Sequence, residues 1–265
     1  NAALVLGGPV AADALRSELD CAAWSARRPG GVLEPRPGTA EARIRALRAY
    51  ADPDAVPAPA TGAEAQWLTE GAIRETVCML LHGARTGDRV RIAMFYLADR
   101  HVVRALRHAV RAGARLQLIL DANRDAFDRK KIGIPNRPVA HELLRYGREA
   151  PGSLEIRWAA THGEQYHTKA MSMAYADPDR APALLLGSAN WTRRNLADLN
   201  LEANVLLRGA APASAAFDRA FDRQWTNDGP LVYTAPYPER ADPPPARWWK
   251  TPLYRFQEAT GIGTF

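Results

Sequence analysis

The 265-residue sequence predicts an α/β layered fold, a mixed β-sheet flanked by helices. Three observations carry this. The runs RVRIAMFY (89–96), RLQLILD (115–121) and LEIRWAA (154–160) are short, apolar and bounded by polar or turn residues, as strands are. Between the first two lies DRHVVRALRHAVRAG (99–113), whose apolar residues recur at helical spacing, and a second short helix is expected near 137–147. Strands that alternate with helices need a sheet with helices packed on it to bury both kinds of apolar surface.

Each element has a local reason. Residues 64–84, EAQWLTEGAIRETVCMLLHGA, place apolar side chains at 67, 68, 73, 77, 80 and 81, which predicts one long helix. In the next helix Asp99 is a natural N-cap and Gly113 a natural residue to follow the C-terminus. After strand 115–121 comes a long polar loop, 122–137, expected to form a wall of a substrate entrance, because loops of that length are uncommon unless they serve function. YHTKAMSMAY (166–175), APALLLGSAN (181–190) and LNLEANVLL (199–207) read as three further strands, and SAAFDRAFDRQW (214–225) as the last helix. Met171 and Met173 are expected in the core.

The organisation falls into four parts. Residues 1–25 read as strand, Gly-Gly-Pro turn and helix; 26–63 are a Pro/Gly-rich linker; 64–230 are the regular α/β text; 231–265 are an aromatic-rich tail. Gly8 and Trp24 stand sixteen residues apart, as do Gly209 and Trp225, each pair closing a strand–turn–helix text. The echo predicts that residues 1–25 are the end of an earlier, homologous half whose remainder lies upstream of Asn1. For the tail, packing back onto the domain is one expectation; a peripheral membrane contact through Trp248, Trp249, Tyr254 and Phe256 is the other.

Composition excludes some classes. Apolar content of 47% with 24% charged residues is that of an ordinary globular chain, and no run of 18 apolar residues is present to make a transmembrane helix. Cys21 and Cys78 cannot form a disulfide framework or a metal knuckle, and both are expected to be buried thiols, which leaves the compartment open. A net charge of +6 mildly favours phosphate-bearing partners.

The chemistry concentrates in the last third. His167 and Lys169 are two residues apart in strand-like text, so an imidazole and an ammonium are expected on one face, about 7 Å apart along the chain. The chain has only four lysines, which makes this one conspicuous. Ser188 and Asn190 end the next strand where a helix begins, and with backbone N–H groups they would make an anion cradle. Glu202 follows in another strand. A carboxylate that accepts from one imidazole nitrogen leaves the other free to attack, while a cation and neutral donors suit the charge that builds on a phosphoryl oxygen. No metal or other cofactor is required; zinc-ligand spacing and a P-loop are absent from the sequence. H-x-K alone is a weak signal, but H-x-K followed by G-S-x-N at a strand end is a strong one.

HTK (167–169), GSANWTRRNL (187–196) and LNLEANV (199–205) together resemble the C-terminal signature of the phospholipase D superfamily, and GEQYHTK and DANRDAFDRKKIGIPN resemble its bacterial phospholipase D-like and cardiolipin synthase-like branch. The resemblance covers about residues 64–227. It implies a phospholipase D-like half-domain that shares one active site with a similar upstream half, or with a second copy. It implies a metal-independent phosphodiesterase or phosphatidyltransferase: one histidine attacks phosphorus to form a phosphohistidine and the other protonates the leaving alcohol. His167 and Lys169 are then the catalytic pair, with Ser188, Asn190 and Glu202 beside them. Tyr96, His162, Glu164, Arg193 and Arg194 are expected to contact substrate. Phospholipid is the first choice of substrate; nucleic acid or another phosphodiester is the second, and a non-catalytic phosphate-binding half is the third. One departure stands out. The superfamily's aspartate, seven residues after the histidine, falls on Ala174, and Asp177 or Asp179 is expected to supply its structural contacts.

Overall fold

The computed structural model describes residues 9–26, 62–123, 125–126, 129–130, 132–161 and 163–262. The chain divides at Trp67–Leu68 into two compact units. In the first, the described helix is α1 (Pro9–Ala26), the helical part of the Gly8…Trp24 echo. The strand expected before it and most of the linker 26–63 lie outside the described residues.

The second unit is a helix–sheet–helix layered domain. The strands are β1 (Glu64–Thr69), which spans that division, and β2 (Arg89–Met94), β3 (Arg115–Leu120), β6 (Ser153–Ala159), β7 (Lys169–Ala174), β8 (Ala183–Gly187), β9 (Ala203–Arg208) and β10 (Thr234–Pro236), and a small ribbon is formed by β4 (Asp125–Ala126) and β5 (Arg129–Lys130). The eight-stranded sheet has the order β1-β9-β8-β7-β2-β3-β6-β10. Neighbours β2–β3 and β3–β6 are parallel, as expected where helices α3 (Arg100–Arg111) and α4 (Asn136–Gly147) cross between them. The pairs β2–β7, β7–β8 and β8–β9 are antiparallel. The expected mixed α/β sheet is therefore the one observed.

Strand alternation sorts the two faces. Val90, Ile92 and Met94 of β2, Leu116, Leu118 and Leu120 of β3, and Met171 and Met173 of β7 join the main core with α2 (Glu70–His82), α3 and α4. The opposite face carries Ala93, Ile119 and Ala159 against Phe221 of α6 (Ala211–Thr226). α6 is also held by charge. Arg91, buried at 5% exposure, pairs with Asp218 and Asp222, and Asp218 also accepts from Ser172 Oγ at 2.7 Å and Arg89 at 3.0 Å. A buried guanidinium needs such partners to be tolerated.

Several expectations are corrected. The helix expected from residue 64 begins at Glu70: Glu64–Thr69 is a strand, Thr69 is extended at φ −124°, ψ 148°, and Glu70 turns the chain at φ 43°. An edge position in the sheet overrides the local helical periodicity. The loop 122–137 contains the β4–β5 ribbon. For the tail, the expectation of packing onto the domain is the one observed: β10 pairs with β6, and α7 (Pro244–Thr260) buries Tyr254 completely. Neither cysteine is fully buried, and partial burial raises the Cys78 thiol pKa. The cap residues follow expectation: Asp99 accepts from the His101 and Val102 N–H groups at 2.9 and 3.0 Å, and Gly113 has φ +91°.

Candidate active site

The sheet register brings the candidate residues to one end. Lys169 opens β7 and lies opposite Met94, the last residue of β2. Leu186 near the end of β8 pairs with Ala170, and Gly187 pairs with Asn204 near the start of β9. The start of β7, the end of β8 and the start of β9 therefore share an edge of the sheet with the C-terminal ends of β2 and β3. His167, Lys169, Ser188, Asn190 and Glu202 all stand there. Ligand sites commonly lie at the carboxyl ends of strands in α/β sheets. Gly187 is needed for this closeness: a Cβ on it would sit 2.2 Å from the Ala203 carbonyl oxygen.

β7 begins at Lys169, so His167 stands two residues before the strand and is exposed. Its ring lies 5.1 Å from that of Phe95. Partial burial and the neighbouring Lys169 charge lower its pKa, and Glu202 opposes them. Lys169 is 6% exposed; its Nζ donates to the His167 carbonyl at 3.1 Å and lies 5.3 Å from the Phe95 ring centre. Burial lowers its pKa to about 8 against the pull of Glu202.

Glu202 is held by neutral donors. Ser188 Oγ donates to its Oε2 at 2.5 Å, and Asn195 Nδ2 donates to its Oε1. Among the described residues no hydrogen bond joins it to His167, on which it acts through its field. The expected cradle of free N–H groups is also different in form. Ser188 N donates to Ala203 O, Ala189 N to Asn204 Oδ1, Trp191 N to Tyr96 O, and Arg193 N to Glu258. Those four N–H groups are spent within the fold, and Asn190 Oδ1 is buried with no hydrogen-bond partner among the described residues.

Sequence reasoning underrated a polar latch beneath the site. Asp121, 2% exposed at the end of β3, accepts from Tyr166 N at 2.8 Å with Oδ2 and from Asn123 N at 2.6 Å with Oδ1. Fully buried Asn136 donates to the carbonyls of Phe95 and Asp121 and accepts from Leu97 N at 2.7 Å. These bonds position the backbone that leads to His167 and carries Phe95. An acid at the end of a buried strand was the available signal for Asp121; nothing in the sequence singled out Asn136 or Asn195.

The other candidates are dispersed. Tyr96 is buried, with its ring against Phe95 at 3.9 Å. Arg193, which opens the short helix α5 (Arg193–Leu196), turns to the end of α7, where it donates to the Ala259 carbonyl. Arg194 donates to Asn200 Oδ1 at 3.2 Å, and Glu164 is exposed. His162 lies outside the described residues. Ala174 ends β7 opposite Arg89, about 17 Å from Lys169 at the usual strand rise. The acid at that far end is Asp88 rather than Asp177 or Asp179. It is buried, and it accepts from Ala176 N at 2.9 Å and from Arg180 at 3.2 Å.

A mixed sheet covered by helices, with an H-x-K pair and a G-S-x-N turn meeting at one end, defines a phospholipase D-like domain. The family model described as the cardiolipin synthase PLD-like domain matches residues 77–225, more than half of the chain, and the chain belongs to that family. Among solved structures, phosphatidylserine synthase from Haemophilus influenzae Rd KW20 is similar in fold, with a TM-score of 0.54 at 16% identity over 87% of this chain. This chain spans 56% of the length of that one. Nuc, a phospholipase D family member from Salmonella typhimurium, gives a TM-score of 0.47 at 16% identity over 62% of this chain and 95% of that one. No curated protein matches the chain.

Proposed function

We propose that this chain supplies one half of a phospholipase D-type active site that cleaves or transfers phosphodiesters, with phospholipid as the substrate class. The observation that supports this best is the meeting of His167, Lys169, Ser188, Asn190 and Glu202 at one end of the sheet. In this reading two histidines work in turn, His167 and its counterpart in the other half. The imidazole of one forms a bond to phosphorus as the bond to the leaving alcohol breaks, and the other gives that alcohol its proton. Water or a second alcohol, losing its proton to the same group, then attacks phosphorus and frees the first imidazole. Lys169 contributes positive charge to the phosphoryl oxygens, and Ser188 and Asn190 contribute neutral polar groups. Glu202 holds Ser188 and Asn195 in place and raises the proton affinity of both His167 and Lys169.

The test is His167→Ala, assayed on a phosphatidyl substrate with the other half present. Turnover should fall by about a thousandfold or more, the scale of losing a nucleophile or a general acid. Turnover equal to wild type would reject the site. Cleavage of DNA with no lipid turnover would move the substrate to nucleic acid.

A further inference from the structure

We propose that α7 is an interfacial helix. Its outer face lies on an anionic phospholipid surface, and the groove between α4 and α7 receives lipid phosphate. The choice of a lipid occupant rests on the reading of the site given above.

The argument begins with the helix itself. At 3.6 residues per turn, Trp248, Trp249, Pro252, Arg255, Phe256 and Ala259 fall within about a third of its circumference, and all six are exposed. Trp248 is 85% exposed and Phe256 60%. A helix packed on a globular domain normally turns a polar face outward. Here the inner face is where Tyr254, Lys250 and Glu258 are buried, and the outer face carries the aromatic residues.

Charge specifies the occupant. Glu258 is the helix's only carboxylate and it is 4% exposed, bonded to Arg193 N at 2.5 Å. The outer face of α7 therefore has no negative charge, and Arg255 stands on it. Beside it the α4–α7 groove, about 600 Å³, has Arg107, Arg145, Arg247 and Arg255 against Glu142 and Glu149. Glu142 is already met by Arg100 at 2.8 Å, by Arg255 at 3.3 Å, by Arg107 at 3.7 Å and by Tyr254, so Arg145 and Arg247 are the groove arginines not paired with it. Trp248 stands at the edge of the same groove. Aromatic side chains and Arg255 on a helix face with no exposed acid, beside a groove where four arginines outnumber Glu142 and Glu149, complement the boundary between acyl chains and anionic headgroups. A protein partner would call for mixed charge at the rim of its contact.

The helix is also coupled to the candidate site. Its last turn bonds to Arg193 at two points, through Glu258 and the Ala259 carbonyl, three residues after Asn190. A lipid surface under α7 would thus be held at a fixed position relative to the Ser188–Asn190 turn.

The experiment is co-sedimentation of the full chain with phosphatidylcholine vesicles, with and without phosphatidylglycerol. It is paired with turnover of a soluble chromogenic phosphodiester in the presence of the other half. Wild type should partition to the anionic vesicles, and less so in high salt. Trp248→Ala/Phe256→Ala should weaken this by about tenfold or more while leaving soluble turnover unchanged; both positions are exposed, and a thermal melt checks that the variant folds. Arg145→Gln should weaken binding to anionic vesicles only. Wild type that binds neither vesicle, or a double variant that binds as well as wild type, would overturn the proposal. So would a double variant that dissociates a dimer, since that assigns the face to a second copy. Vesicle binding without any phosphodiester turnover would support the lipid surface and remove the catalytic reading, so the two failures are distinguishable.

Discussion

Lys169 and Glu202 set the pH behaviour expected of the site. The ammonium is nearly buried, and its pKa falls to about 8 from an ordinary 10.5, with burial as the cause. Between those values the unfolded chain holds more protons than the folded one. This group therefore adds to stability as pH rises from about 8 to about 10.5. Activity that depends on the cation should move the opposite way, falling as pH passes about 8. Desolvation and the Lys169 charge lower the His167 pKa from its ordinary value, which favours the neutral imidazole. Glu202 raises the pKa of both groups. Glu202→Gln should therefore shift both limbs of the kcat/KM profile to lower pH. Limbs that stay in place would show that the carboxylate does not act on the two through its field.

At the scale of elements, the site depends on the helix on its far side. Asp218 of α6 joins Ser172 of β7 to Arg89 and Arg91 of β2, the two strands that carry Lys169 and Phe95 at their ends. Asp218→Ala would orphan the Ser172 hydroxyl and leave buried Arg91 only Asp222 as a carboxylate partner. A loss of about 3 kcal/mol is expected in denaturant unfolding; a loss under about 1 kcal/mol would show that the helix is held by Phe221 and its apolar neighbours alone. Elements with a local signal were legible in the sequence: Asp99 and Gly113 bound α3, and alternation marks β2 and β3. β1 was not legible, because its strand state comes from a place at the sheet edge that its own residues do not announce.

At the scale of the molecule, the proposed chemistry needs two histidines, and this chain brings one H-x-K pair. The rate per chain on a phosphodiester should rise with chain concentration, or on addition of a polypeptide carrying the other half. A rate strictly proportional to concentration, and indifferent to that addition, would mean that one set of residues suffices. The C-terminal region is part of this larger design. β10 closes one edge of the sheet, and α7 ties Arg193 to the domain while turning Trp248 outward.

The sequence by itself determined the α/β layering and the core methionines of β7, and it supplied the five candidates for the site. Periodicity and short motifs are local properties that survive without coordinates. Only the tertiary structure decided how those five residues relate. Glu202 bonds to Ser188 and Asn195 rather than to His167, and Asp121 secures the backbone beside the histidine. Arg193 is spent on α7. These pairings join residues 7 to 66 apart in the chain, and they depend on strand register and on which polar groups burial leaves in need of partners.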